Sequence, residues 1–147
     1  MTGLDSFYWG NDSSAERIEF ADGSGNISLK IALDRLLVTV SGEPGGEVLL
    51  QCFHSGIERK LLHGEMRALV DLTDFIGVID WGAIFAVRQM APWGESKKDR
   101  SCVAYLLRDG YAELMIKAVS DLFTHTQHRA FTSRELAITW LETQPTL

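Results

Sequence analysis

Ile27-Ser28-Leu29-Lys30-Ile31-Ala32-Leu33-Asp34-Arg35-Leu36-Leu37-Val38-Thr39-Val40 is the stretch on which the fold turns. Ile27, Leu29, Ile31 and Leu33 alternate with Ser28, Lys30 and Ala32, the two-residue period of a strand with one apolar face. Leu36–Val40 is a second strand, rich in β-branched residues. Only Asp34-Arg35 separates them, so they are expected to pair as an antiparallel hairpin. Ser41-Gly42-Glu43-Pro44-Gly45-Gly46 then breaks the chain, and a helix is expected from about Gly46 to Ser55, burying Val48, Leu49, Cys52 and Phe53.

Beyond the hairpin the pattern becomes strand, helix, strand, helix. Arg67–Leu72 contains the continuous apolar run Ala68-Leu69-Val70, as in a strand buried on both faces. Ile79, Ala83, Ile84, Val87 and Met90 recur at helical spacing until Pro92. Cys102–Leu107 reads as another buried strand, Leu114–Phe123 as an amphipathic helix and His128–Phe131 as a short strand. Thr132-Ser133-Arg134-Glu135 reads as a capping box opening a last helix, with Phe131 and Leu136 as its staple and Leu136, Ala137, Trp140 and Leu141 on its core face. Strands joined through helices run parallel with right-handed crossovers. The expected fold class is therefore α/β: a mixed four- to six-stranded sheet with an antiparallel N-terminal edge hairpin and about four helices.

Working outward, residues 1–26 hold five acids against the single base Arg17. They are expected to form an acidic, loosely held segment in which Phe7-Tyr8-Trp9 is pinned to the body or to a partner, with Arg17–Phe20 as an extra strand. Residues 27–147 are expected to form one domain, in keeping with a chain of 147 residues. The net charge of −6 argues against a nucleic-acid-binding surface. No apolar run approaches the roughly 20 residues that span a bilayer, and the start lacks a secretion signal, so a cytoplasmic protein is expected. Cys52 and Cys102 sit among apolar residues and read as buried thiols.

The motifs for chemistry are sparse. There is no Gly-x-Ser-x-Gly elbow, and Ser101-Cys102 begins a strand, which argues against a hydrolase. His125-x-x-His128 lacks an evident third ligand, and His54 and His63 are scattered, so no metal is expected. Gly42–Gly46 has no following Lys-Ser/Thr and is not a phosphate loop. Trp93 beside Lys97-Lys98-Asp99-Arg100 is either a partner site or a lid over a solvated loop. The densest segment is Val70–Ile84. There a buried strand ends in acids and a loop meets a helix start, the position at which open α/β sheets gather ligands and partners. Asp80 is placed to cap that helix, and capping alone also accounts for acids here.

Val70-Asp71-Leu72, Asp80-Trp81-Gly82-Ala83-Ile84, and Arg129-Ala130-Phe131 leading into Ala137-Ile138-Thr139-Trp140-Leu141 together resemble the SpoIIAA-like family of the STAS superfamily, over about residues 28–143. The resemblance implies a four- or five-stranded mixed sheet with helices concentrated on one face, and binding rather than catalysis. In the anti-sigma-factor antagonists of that superfamily, a Ser after an Asp at this helix start accepts phosphate. Here Asp80 matches the Asp, but Trp81 and Gly82 stand where the hydroxyl belongs. The phospho-switch is not carried over, nor is it moved to Thr73.

Two functions follow as expectations. The first is a non-enzymatic regulatory module that binds a protein partner through Thr73, Asp74, Asp80, Trp81 and Trp93, with no cofactor. The second is a carrier of a small apolar molecule or lipid, with Trp81, Phe85, Met90 and Trp93 lining a pocket. A homodimer through the uncovered hairpin edge is a further expectation, with Lys30 and Arg35 blunting that edge.

Overall fold

The computed structural model describes Trp9, residues 15–62, 66–77, 80–90 and 101–108, Lys117, and residues 126–144. Six strands form one mixed sheet in the order β1-β2-β3-β4-β5-β6: β1 Glu16–Ala21, β2 Gly25–Ala32, β3 Arg35–Gly42, β4 Arg67–Phe75, β5 Ser101–Leu106 and β6 Thr126–Phe131. The first three strands pair antiparallel and the rest pair parallel. Three helices are described: α1 Gly46–Glu58, α2 Trp81–Met90 and α3 Arg134–Thr143. The helix expected at Leu114–Phe123 and the loop carrying Trp93 lie outside the described residues.

Strand parity divides the core in two. Ile27, Leu29, Leu36, Val38, Val40 and Ala68 pack with Val48, Cys52 and Phe53 of α1 and Val87 of α2. Leu37, Leu69, Cys102, Ala104 and Leu106, on the opposite face, pack with Ala137, Ile138 and Leu141 of α3. Burial of Ile138 and Leu141 contributes roughly 2 kcal/mol each. The described helices thus cover both faces of the sheet, and are not gathered on one.

The hairpin holds with one change. Ala32 pairs with Arg35, so the turn is Leu33-Asp34, and Leu33 adopts a φ of 58°. Its outer edge is not open. β1 pairs along β2 from Glu16↔Ile31 to Ala21↔Asn26. The expected self-pairing edge is therefore occupied, and among the described residues the outer strand on that side is β1, whose Glu16, Arg17 and Glu19 are exposed charges that disfavour strand addition.

α1 runs to Glu58, three residues beyond the expected end. Gly56, within the extension, is a packing notch: a Cβ there would stand 2.8 Å from Leu62 Cδ1. The helix ends with Lys60 N donating to Ile57 O and Leu61 N to Gly56 O, a Schellman closure whose left-handed position is taken by Lys60 at φ 58°. α3 starts one residue later than expected. Ser133 is the N-cap, accepting from Leu136 N at 3.3 Å, so the Thr132–Glu135 box does not form. One residue turns a helix by about 100°. Leu136 accordingly points outward, and Ile138 is buried instead.

The far end of α3 is tied to the sheet by charge. Arg67 sends its Nη1 to Leu141 O and its Nη2 to Gln144 O (2.8 Å), setting a cation against the carbonyl end of the helix. Glu142 accepts from Arg35 Nε (3.0 Å) and from Trp9 Nε1 (2.9 Å). Trp9, last of the aromatic triplet, is only 2% exposed.

Candidate functional site

β4 continues to Phe75, so Thr73 and Asp74 lie within the strand. Between Asp71 and Asp74 the register with β3 slips by one residue, an irregularity beside the switch from strand to loop. Asp71, in register with Thr39, lies towards α3. It accepts from Thr73 N (3.0 Å) and Thr73 Oγ1 (2.6 Å) and stands 3.7 Å from Arg134 Nη1. The Thr73 hydroxyl is thus spent on its own strand, on the α3 side. Asp74 is exposed.

Asp80 lies on the other side of the sheet. Its Oδ1 accepts from Ala83 N at 3.0 Å and its backbone carbonyl from Ile84 N at 3.0 Å, making it the N-cap of α2. The same carboxylate abuts the start of α1: a Cβ on Gly46 would collide with it and stand 2.8 Å from Ala83 Cβ. One carboxylate therefore faces two helix N-termini, both of which favour negative charge. The N-cap of α1, Gly45, has no side chain to offer, and its N–H donates to Asp22 Oδ2 at 2.9 Å. This bond, with those from Ser24 and Gly25, holds the Asp22 carboxyl below its usual range.

Of the five residues singled out in the sequence, the structure brings Asp74 and Asp80 to the β4–α2 corner and directs Thr73 to the other face. Trp81 opens α2. Trp93 lies outside the described residues. The corner also carries two apolar side chains that the sequence reading did not select as interface residues: Ile76, 71% exposed, and Phe85, 53% exposed. Gly82, Phe85 and Gln89 are exposed along α2 at helical spacing, so Phe85 belongs to an outward stripe.

A cavity of about 200 Å³ lies between the sheet and α1/α2. Val38, Val70, Leu72, Phe53, Ile84 and Val87 are among its apolar walls, and Pro44, Gly45 and Asp80 edge it. Of the residues expected to line a pocket, Phe85 is exposed and Ile84 lines this cavity in its stead, while the side chains of Trp81 and Met90 and all of Trp93 lie outside the described residues. The cavity's polar wall comes from β5 and β6, where Ser101↔Thr126 and Val103↔His128 are in register. The hydroxyls of Ser101 and Thr126 are 2.7 Å apart, and Tyr105 Oη lies 2.9 Å from His128 Nδ1 with the rings stacked. The sequence signal for this wall lay in strand parity: Ser101 and Tyr105 share one face of the otherwise apolar β5, and Thr126 and His128 share the same face of β6.

Burial pushes the Tyr105 phenol well above its ordinary value. Burial also pushes the Cys52 thiol up to about 12 and the Cys102 thiol up to about 11, the reverse of nucleophile activation. His54 is exposed and pairs with Glu58 at 3.1 Å, while His63 and His125 lie outside the described residues. Among the described residues there is no cluster of three metal-ligating side chains, and no helix is long and apolar enough to cross a membrane.

No family model and no curated protein matches the chain. Solved structures do match, among them a SpoIIAA-like protein and an anti-sigma factor antagonist. An uncharacterised protein of the DUF3478 family with a SpoIIAA-like fold, from Shewanella loihica PV-4, superposes with a TM-score of 0.56 at 17% identity, covering 88% of this chain and 98% of that one. An anti-sigma factor antagonist from Mycobacterium paratuberculosis superposes with a TM-score of 0.51 at 13% identity, covering 84% and 99%. The fold is SpoIIAA-like.

Proposed function

We propose that this chain is a non-enzymatic regulatory module of STAS-like type that binds a protein partner at the β4–α2 corner, without a phospho-acceptor Ser at the start of α2. The observation that carries the reading is that the passage from β4 to α2 exposes two large apolar side chains, Ile76 just after β4 and Phe85 on α2, together with the acids Asp74 and Asp80. An exposed aromatic flanked by charge is the composition of an interface anchor, and this corner lies at the carboxyl end of a parallel strand. Likeness in fold to a protein named as an anti-sigma factor antagonist supports a protein as the partner. Trp81 and Trp93 are proposed members of the same surface.

The test is recovery of a partner from the source cells by the wild-type chain and by Phe85→Glu, Ile76→Asp and Trp81→Ala, with circular dichroism and urea unfolding run on each variant. The reading expects folded variants that lose the partner held by the wild type. Retention of that partner by Phe85→Glu contradicts it, and unfolding by Trp81→Ala removes Trp81 from the surface and places it in the core.

A second reading is favoured by the cavity: the module receives a small apolar molecule between the sheet and α1/α2. Native mass spectrometry of gently purified protein tests it, a co-purifying hydrophobic mass supporting it and a bare chain mass opposing it.

A further inference from the structure

The cavity's walls state what it accepts, and the argument rests on the second reading above. A dry apolar cavity of about 150 Å³ holds benzene. One of about 200 Å³ therefore holds roughly eight or nine heavy atoms, too few for a phospholipid's acyl chains. Charge narrows the choice further. Among the described residues no Lys or Arg lines the cavity, and the Asp80 carboxylate stands at its edge. An anionic group inside would lose its hydration, find no Lys or Arg counter-charge among the described residues, only the His128 imidazole held by Tyr105, and meet the like charge of Asp80.

The polar wall narrows it again. Ser101 and Thr126 are 7% and 8% exposed, and their hydroxyls bond to each other. Two hydroxyls carry two O–H donors, and the bond between them uses one. The second donor has no other partner among the described residues. A buried O–H without an acceptor costs free energy that an oxygen placed on it recovers.

We propose that the cavity binds an uncharged, largely apolar molecule of about nine heavy atoms whose carbonyl- or ether-type oxygen accepts from the Ser101–Thr126 hydroxyl pair. The probes are acetophenone, cumene and benzoate, which share a shape but carry a carbonyl oxygen, a methyl group in its place and a carboxylate. Binding to the full chain is read by NMR shifts of cavity methyl groups, for the wild type and for Ser101→Ala/Thr126→Val. That double substitution removes both partners together and leaves no orphaned hydroxyl.

The expected result is that the double variant binds acetophenone about 3- to 10-fold more weakly and cumene no more weakly than before, with benzoate failing to bind either protein. Acetophenone affinity unmoved by the double substitution overturns the proposed oxygen contact, as does benzoate binding on a par with acetophenone; in both cases the cavity still receives ligands. If none of the three probes moves a cavity methyl group, the reading of the cavity as a binding site falls and the proposal falls with it. Thermal unfolding of the double variant confirms that a loss of binding is not a loss of fold.

Discussion

Asp80 carries a structural role and a proposed functional one, and two substitutions separate them. Asp80→Ala removes the acceptor from Ala83 N (3.0 Å) at the start of α2. Loss of such a cap costs about 1 kcal/mol. It also removes a negative charge from the N-termini of α2 and α1, roughly 0.3–1 kcal/mol at each. The side chain is exposed, and α1 keeps its bond from Gly45 to Asp22, so the lower ends apply. The total is about 1.5–2 kcal/mol. Asp80→Asn keeps a good capping oxygen and loses only the charge, so about 0.5 kcal/mol is expected. Gly46→Ala destabilises despite alanine's better helix propensity, because the new Cβ strikes the Asp80 carboxylate and crowds Ala83. In an Asp80→Ala background part of that penalty disappears, and the double-mutant cycle reads the contact. The assay is urea unfolding at constant m. For m of about 2 kcal/mol/M, the midpoint falls by about 0.8–1 M for Ala and about 0.2 M for Asn. An Asn variant as unstable as the Ala variant, or additive costs for Gly46→Ala and Asp80→Ala, refutes the shared-carboxylate reading.

Three further outcomes are expected. Lys60→Gly raises stability by about 0.5–1 kcal/mol, because it relieves a left-handed residue in the Schellman closure at some cost in chain entropy; an unchanged or lowered thermal midpoint contradicts the strain. Cys52 and Cys102 resist a thiol reagent at pH 8 in the folded chain and react in urea, since a thiol held at about 12 carries roughly a thousandfold less thiolate than an ordinary one at 9.0; prompt native labelling sinks this. Burial lifts the Glu142 carboxyl, but the bonds from Arg35 and Trp9 and the charges of Arg35 and Arg67 outweigh it and hold the group below its ordinary 4.5. A depressed folded value means that the stabilisation is present above pH 4.5 and lost as pH falls through the folded value. Glu142→Gln should therefore lose stability at pH 7 and show a shallower acid decline than wild type; parallel pH curves contradict the assignment.

The sheet was legible because its strands bury one face each, and a two-residue period survives any error in boundaries. Ile27, Leu29 and Ile31 could face only one way, and Ala68-Leu69-Val70 needed cover on both sides. Helix frames were less legible. Thr132 and Ser133 both offer a capping hydroxyl, and which one caps was decided by burying Ile138 rather than Leu136. The continuation of α1 past Ser55 was not legible, because the packing of Gly56 against Leu62 is a tertiary fact. At the site, Asp80 as a cap could be read from one acid before an apolar helix stripe. The cavity could not, because it depends on how far α1 and α2 stand from the sheet, which the local pattern does not encode. That the Thr73 hydroxyl turns back to Asp71 on the far face is hidden for the same kind of reason.

The binding surface at the β4–α2 corner is tested most directly by hydrogen–deuterium exchange of the chain with and without the partner recovered from its source cells. Slowed exchange over Asp74–Ile76 and Gly82–Gln89, with α3 unchanged, is the predicted result. Protection confined to α3 or to β1, with the corner exchanging as before, would contradict it.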